Sequence, residues 1–235
     1  MEANINLETM LIKAMHLDDI VFGYQAFGRE NLVNKISDKD QINMIKKAIA
    51  SGKSLAKEIK AKYNFNNLEE LSSKLKVKIT YSDKTYDQAN MLLFAFYNSK
   101  NLITINKKAV DTALSFKEMK TLSKDYFSKK TVTNLLIGHE IYHFLENNNK
   151  NLYSNTERIT LFKIFKWQYR ARIHILGEIA AMSFAKELNN VTYNPFILDI
   201  LLVYGFNKSS ASALYQDLIL SEERVNSIME GNDDK

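Results

Sequence analysis

Apolar residues recur at helical spacing over most of the chain, and strand-like runs are confined to one region. In residues 53–63 (KSLAKEIKAKY), Leu55, Ile59 and Tyr63 share one helical face. Asn67 precedes LEELSSKLK with Glu70 three residues on, which predicts a second helix with a capped start. VKITY (77–81) reads as a short strand. NMLLFAFYN (90–98) and LITIN (102–106), separated by Ser99, Lys100 and Asn101, read as a hairpin. TVTNLLIGHEIYHFLE (131–146) predicts a strong helix, broken by NNNKN (147–151), and roughly 156–189 a second long, interrupted helical stretch. Pro195 stands where a helix would start, ahead of FILDILLVYGF. Residues 7–50 are helical in pattern with little punctuation, and His16 within them reads as structural or surface. MHLDDIVFGYQAF there reads as a core helix rather than a partner-binding one. Residues 107–130 are Lys-rich and unassigned, and the terminal GNDDK is expected to fray.

Three strands ahead of the longest helices predict an α+β fold with a small, three-stranded or larger mixed sheet. The expected organisation is a helical N-terminal extension over 1–50, a central domain over 51–195, and a C-terminal helical segment over 196–235 packed on that domain. With one Pro and seven Gly, no Pro/Gly-rich linker marks a boundary.

Composition narrows the chemistry. The chain has 235 residues, 46% of them hydrophobic and 25% charged, which suits one sizeable core and excludes a disordered chain. No apolar run reaches the 18 or so residues of a spanning helix, and the N-terminus has early acids and no apolar signal core. There is no Cys, so disulfide scaffolds, Cys-based zinc or iron–sulfur sites and a cysteine nucleophile are excluded. A cytoplasmic protein with no membrane partner is expected. Of 32 basic residues only five are Arg (Arg29, Arg158, Arg170, Arg172, Arg224), and residues 1–75 carry no helix-turn-helix pattern. The net charge of +5 therefore reads as solvated surface, and direct nucleic-acid binding is not expected.

Any metal must then be held by His, Asp or Glu. His139-Glu140-Ile141-Tyr142-His143 is an HExxH pattern on a predicted helix. Residues four apart lie one above the other, so His139 and His143 can occupy two corners of a tetrahedral Zn²⁺ site. Glu140 sits one step round, placed to act on water as general base. The bland alternative is a helix bearing two surface His and a Glu paired with Lys. The apolar flanks argue against it, and Gly138 would admit a second helix at close range. The third ligand is open among Glu146, Glu157, His174, Glu178 and Glu187. Glu146 lies far along the same helix. Glu178 shares a face with Ala181 and Ala185, which could pack against Gly138, unless it pairs with Arg172 or Lys186. His174, one turn earlier, could be a ligand, a supporting residue or a core His.

GHEIYHFLE followed by Glu178-x-x-Ala181-x-x-Phe184-Ala185-x-x-Leu188 resembles the ImmA/IrrE family of zincin-like metallo-endopeptidases. KSLAKEIKAKYNFNNLEELSSKLKVKITY is similar to that family's opening helices and first strand, and NLITIN to its I-x-I-N strand. The resemblance covers about residues 53–190. It implies a zincin-like fold over 51–195, one Zn²⁺ per chain on His139, His143 and Glu178, and Glu140 as the catalytic base. It also implies proteolysis of a regulatory protein, such as a transcriptional repressor of a mobile element or stress response. Substrate would add as a strand to the 90–106 sheet edge. The chain departs from the family at Asn189-Asn190-Val191, where a Leu-Met-Pro ending is common, and in the length of the segment between His143 and Glu178. Tyr142, Tyr193, Tyr204 and His174 are candidate transition-state stabilisers. A non-proteolytic binding protein on the same scaffold is the alternative, and the presence of Glu140 argues against it.

Overall fold

The computed structural model describes residues 6–84, 87–88, 91–92, 94–98, 100–116, 119, 122, 126–165 and 167–231. Helices α1 (Leu7–Met15), α2 (Asp19–Phe27), α3 (Asp38–Lys62) and α4 (Leu68–Lys74) lead into strand β1 (Lys78–Ser82). Strands β2 (Asp87–Gln88), β3 (Met91–Leu92), β4 (Ala95–Asn98) and β5 (Leu102–Asn106) follow, then α5 (Lys107–Leu114) and α6 (Lys129–Asn148). A short α7 (Tyr153–Thr156), β6 (Arg158–Ile164) and β7 (Trp167–Arg172) precede α8 (Ile175–Asn189), α9 (Ile197–Tyr204) and α10 (Lys208–Met229). Asn90, Leu93, Ser99 and the expected frayed end after Gly231 lie outside the described residues, as does part of 107–130.

Local chemistry fixes the helix starts. The N–H groups of Asp40, Thr131 and Ser210 donate to the side chains of Ser37, Ser128 and Asn207 at the heads of α3, α6 and α10. At α4 the N–H of Glu70 donates to Asn67 Oδ1 at 2.8 Å, as expected. The Glu70 carboxylate, however, accepts from the N–H of Asn66 rather than closing on Asn67.

The expected α+β character holds, and β1, β5 and β4 form one sheet in that order; of the strand expected over 90–98 only 95–98 joins it, while Met91–Leu92 pairs with Asp87–Gln88. β4 and β5 make the antiparallel hairpin, turning through Asn101 at φ 55°, while β1 runs parallel to β5. β5 is central and buried, and β4 forms an outer edge. Within the stretch 156–189 expected to be helical, residues 158–172 are instead the β6–β7 hairpin. Phe162 and Ile164 flank Lys163, and Trp167 and Tyr169 flank Gln168, a two-residue repeat that suits a pleated ribbon. The helical face beginning at residue 53 continues a longer helix, so the expected boundary at residue 50 falls inside α3.

The core centres on α8, which is clamped between α3 and α6. Gly52 of α3 meets α8 so closely that a Cβ there would lie 2.1 Å from the carbonyl oxygen of Ala180. Gly138 of α6 faces Ala185 and Asn189, the close packing its lack of a side chain allows. Both chain ends join this core. Buried Glu30 accepts the N–H of Ile175 at the head of α8, Lys186 pairs with Asp19 at 2.8 Å, and Gln25 donates to the carbonyl of Leu214. Among the described residues no helix is long and apolar enough to cross a membrane.

Gly52→Ala drives a methyl into backbone, which cannot swing aside as a side chain can. We expect a loss of about 1–3 kcal/mol in urea unfolding, against a change within about 0.5 kcal/mol for Lys53→Ala on the exposed face.

Candidate metal centre

Two elements supply the site. α6 carries His139, Glu140 and His143, with the two imidazoles one turn apart. α8 carries Glu178 in its first turn, on the side facing α6. His139 Nε2 and His143 Nε2 stand 3.0 Å apart, and the Glu178 carboxylate lies 3.3 Å from the first and 3.5 Å from the second. Tetrahedral coordination with bonds of about 2.0–2.1 Å sets adjacent donors about 3.3–3.4 Å apart. The donor set and its spacing therefore fit one small divalent cation, and His139, His143 and Glu178 could hold a metal ion. Without one, the imidazoles stand close enough to hydrogen-bond the Glu178 carboxylate directly.

The protonation equilibria carry that signature. Burial works against a charged His143, but hydrogen bonds to Glu146 and Glu178 overcome it and push its pKa up to about 10. Burial likewise opposes ionisation of Glu178, yet the bonds from His139 and His143 prevail and hold it far below the usual carboxylate range.

Behind the first donors lies a chain of polar contacts that the sequence reading did not find. His143 Nδ1 donates to Glu146 Oε2 at 3.3 Å. The other Glu146 oxygen receives Arg172 at 2.8 Å, and Arg172 Nε donates to the carbonyl of Ser154. Ser154 Oγ shares a hydrogen bond with Tyr142 Oη at 3.0 Å. Glu146 is thus too far along the helix to join the donors but well placed to orient one of them. Its three-residue spacing from His143 was the available signal. Gly177 makes room, since a Cβ there would lie 2.9 Å from Glu146 Oε1. Among the described residues His139 Nδ1 is buried without a partner, so that ring is held through its Nε2 contacts and by packing.

The remaining candidates separate cleanly. Arg172 and Lys186, the alternative partners for Glu178, pair with Glu146 and Asp19. His174 is exposed at the head of α8, and neither it, Glu157 nor Glu187 joins the donor cluster. His16 is exposed at the end of α1.

A cleft of about 640 Å³ opens over the donors, with buried Glu140 in its wall. Ala95–Tyr97 of β4 form one side, and Phe196, Asp199 and Leu202 another. Tyr142, Tyr193 and Tyr204 do not line it. Tyr193 spends its hydroxyl on the carbonyl of Tyr126, and burial pushes the hydroxyl pKa of both Tyr142 and Tyr193 up. Arg29 is the cation in the cleft wall. It lies over the Phe196 ring at 5.5 Å and 3.4 Å from Asp199, whose carboxyl burial raises despite that neighbour.

In comparison with known proteins, the chain matches no family model, and no curated sequence or solved structure matches it.

Two outcomes are expected. Without metal, the raised His143 stabilises the fold fully below its ordinary 6.5, and this is lost as pH climbs through about 10. The depressed Glu178 contributes above its ordinary 4.5 and is lost in acid. The melting temperature of the metal-free chain should therefore fall from pH 7 to 10, and His143→Gln should flatten that limb. Separately, Glu146→Gln should weaken metal binding about 10–100-fold in competition with a chromophoric chelator, with the melting temperature of the metal-free form recorded alongside.

Proposed function

We propose that this chain is a zincin-like, Zn²⁺-dependent endopeptidase. The observation that carries the reading is the spacing of His139, His143 and Glu178 at the edges of a tetrahedron, beside a buried carboxylate on the same cleft. In this reading His139, His143 and Glu178 hold the ion. Zn²⁺ held there supplies Lewis acidity toward a peptide carbonyl and lowers the pKa of water.

The protein's own groups do the rest. Glu140 accepts the proton of the attacking water and returns it to the departing amine. The outer edge of β4 offers backbone donors and acceptors to an extended substrate, which would lie antiparallel along the cleft. Arg29, rather than the tyrosines expected from sequence, is the cation available to a developing negative charge. Its bond to Asp199 restrains it at the wall. The substrate we propose is a regulatory protein such as a transcriptional repressor, within the cytoplasm. That part rests on the sequence resemblance and the Cys-free composition.

The test is metal content by mass spectrometry together with hydrolysis of a mixed peptide library. Wild type and Glu140→Gln should each retain about one Zn²⁺ per chain, and His143→Ala none. Hydrolysis by Glu140→Gln should fall about 10²–10⁴-fold. No metal in any of the three after Zn²⁺ addition at neutral pH would overturn the proposal. Full metal loading with no turnover of any library peptide would favour the binding-protein alternative.

A further inference from the structure

Beyond its base, where Ile159 packs on the core and Arg172 pairs with Glu146, the β6–β7 hairpin stands clear of core and cleft, and its side chains are arranged in two opposed faces. Phe162 pairs with Tyr169 and Ile164 with Trp167, so these four point to one side of the ribbon. The Phe162 and Tyr169 rings stack at 5.2 Å. Lys163, Gln168 and Arg170 alternate to the other side. Every described residue from 162 to 170 is exposed, including Trp167 at 80% and Phe165 at 93%. Phe165 also holds φ at 51°, a left-handed conformation that suits Gly or Asn and penalises a bulky side chain. An aromatic residue there is strained and unburied at once. Strain of that kind, unrepaid inside the chain, points to a use outside it.

We propose that this hairpin docks the protein on an anionic phospholipid surface, with Phe162, Ile164, Phe165, Trp167 and Tyr169 entering the interface. The charge is complementary: Lys163 and Arg170 are exposed on the polar face, and the sequence of 158–172 holds no acid. Each Lys or Arg near an anionic surface contributes about fivefold in binding constant. Indole and phenol rings favour the headgroup level, and long cationic side chains reach phosphates from the opposite face of a ribbon lying in plane. Strands of six or seven residues are too short to span a bilayer. The outer edges of the two-stranded ribbon keep hydrated backbone groups, which suits the interface and not the acyl core.

Other occupants fit less well. Exposed aromatic residues on a hairpin demand a matching pocket in a rigid protein, whereas a fluid surface conforms to them. A nucleic-acid stacking platform sets aromatic and basic residues on one face, and here they are on opposite faces. A second copy would bring two basic hairpins together. The sequence expectation of no membrane partner rested on the absence of a spanning run, which a surface-lying hairpin does not need.

Trp167 is the only Trp in the chain, so its emission reports this site alone. The full-length protein is titrated with vesicles of phosphatidylcholine, with and without phosphatidylglycerol. Anionic vesicles should shift the emission to the blue and expose it to quenching by brominated lipid. Lys163→Gln with Arg170→Gln should weaken binding about 25-fold. Phe165→Asn should weaken it while leaving the melting temperature unchanged or higher. No shift with anionic vesicles would overturn the proposal, as would equal binding to neutral vesicles. A lipid-free shift on adding oligonucleotide, on adding polyglutamate, or on raising protein concentration would overturn it in favour of the corresponding occupant.

Discussion

The close approach of α8 to its two neighbours is the constraint from which the rest follows. The two imidazoles ride on α6 and the carboxylate on α8, so the separation of these helices sets the distances between donors. Gly138 lets α6 lie against Ala185, and Gly52 lets α3 press α8 from the other side. A methyl group at either junction would be felt at the site, because a packed interior transmits displacement rather than absorbing it. Gly177 adds a third condition, reserving the volume that the Glu146 carboxylate occupies.

The electrostatics are laid over this frame in alternating sign. From Arg172 to Glu146, His143 and Glu178, each charged or chargeable group lies next to one of opposite tendency. Such a row is stable in the interior only when complete. It also ties the base of the β6–β7 hairpin to the site, since Arg172 is the last residue of β7. An event at the hairpin and an event at the donors therefore share one side chain.

Much of this was legible in residue spacing. The HExxH run on an apolar helix, the small-residue face of 178–185 and the presence of the β4–β5 hairpin follow from local periodicity, which sequence displays directly; the pairing of β1 with β5 does not. What escaped was of two kinds. The hairpin at 158–172 is hidden because its apolar and basic residues are interleaved densely enough to satisfy either a helical or a strand period. The roles of Arg29, Glu30, Asp199 and Arg172 escaped because each depends on a partner far away in sequence. Asp199 stands 170 residues from Arg29, and Ile175 stands 145 from Glu30. The tyrosines failed as cleft residues for the related reason that burial and hydroxyl partners are tertiary facts.

The bond from Ser183 to the carbonyl of Ile49 joins residues 134 apart, across the α3–α8 contact. On a ribosome the α3 half of that contact emerges first and must wait on the order of ten seconds for its counterpart. Through that interval the seam intended for α8 is open to solvent and to other nascent chains. The compact arrangement that makes a rigid site in the finished molecule thus makes its birth dependent on late closure. For this chain the seam on α3 is covered only once α8 has left the ribosome, so the site is among the last features of the fold to form.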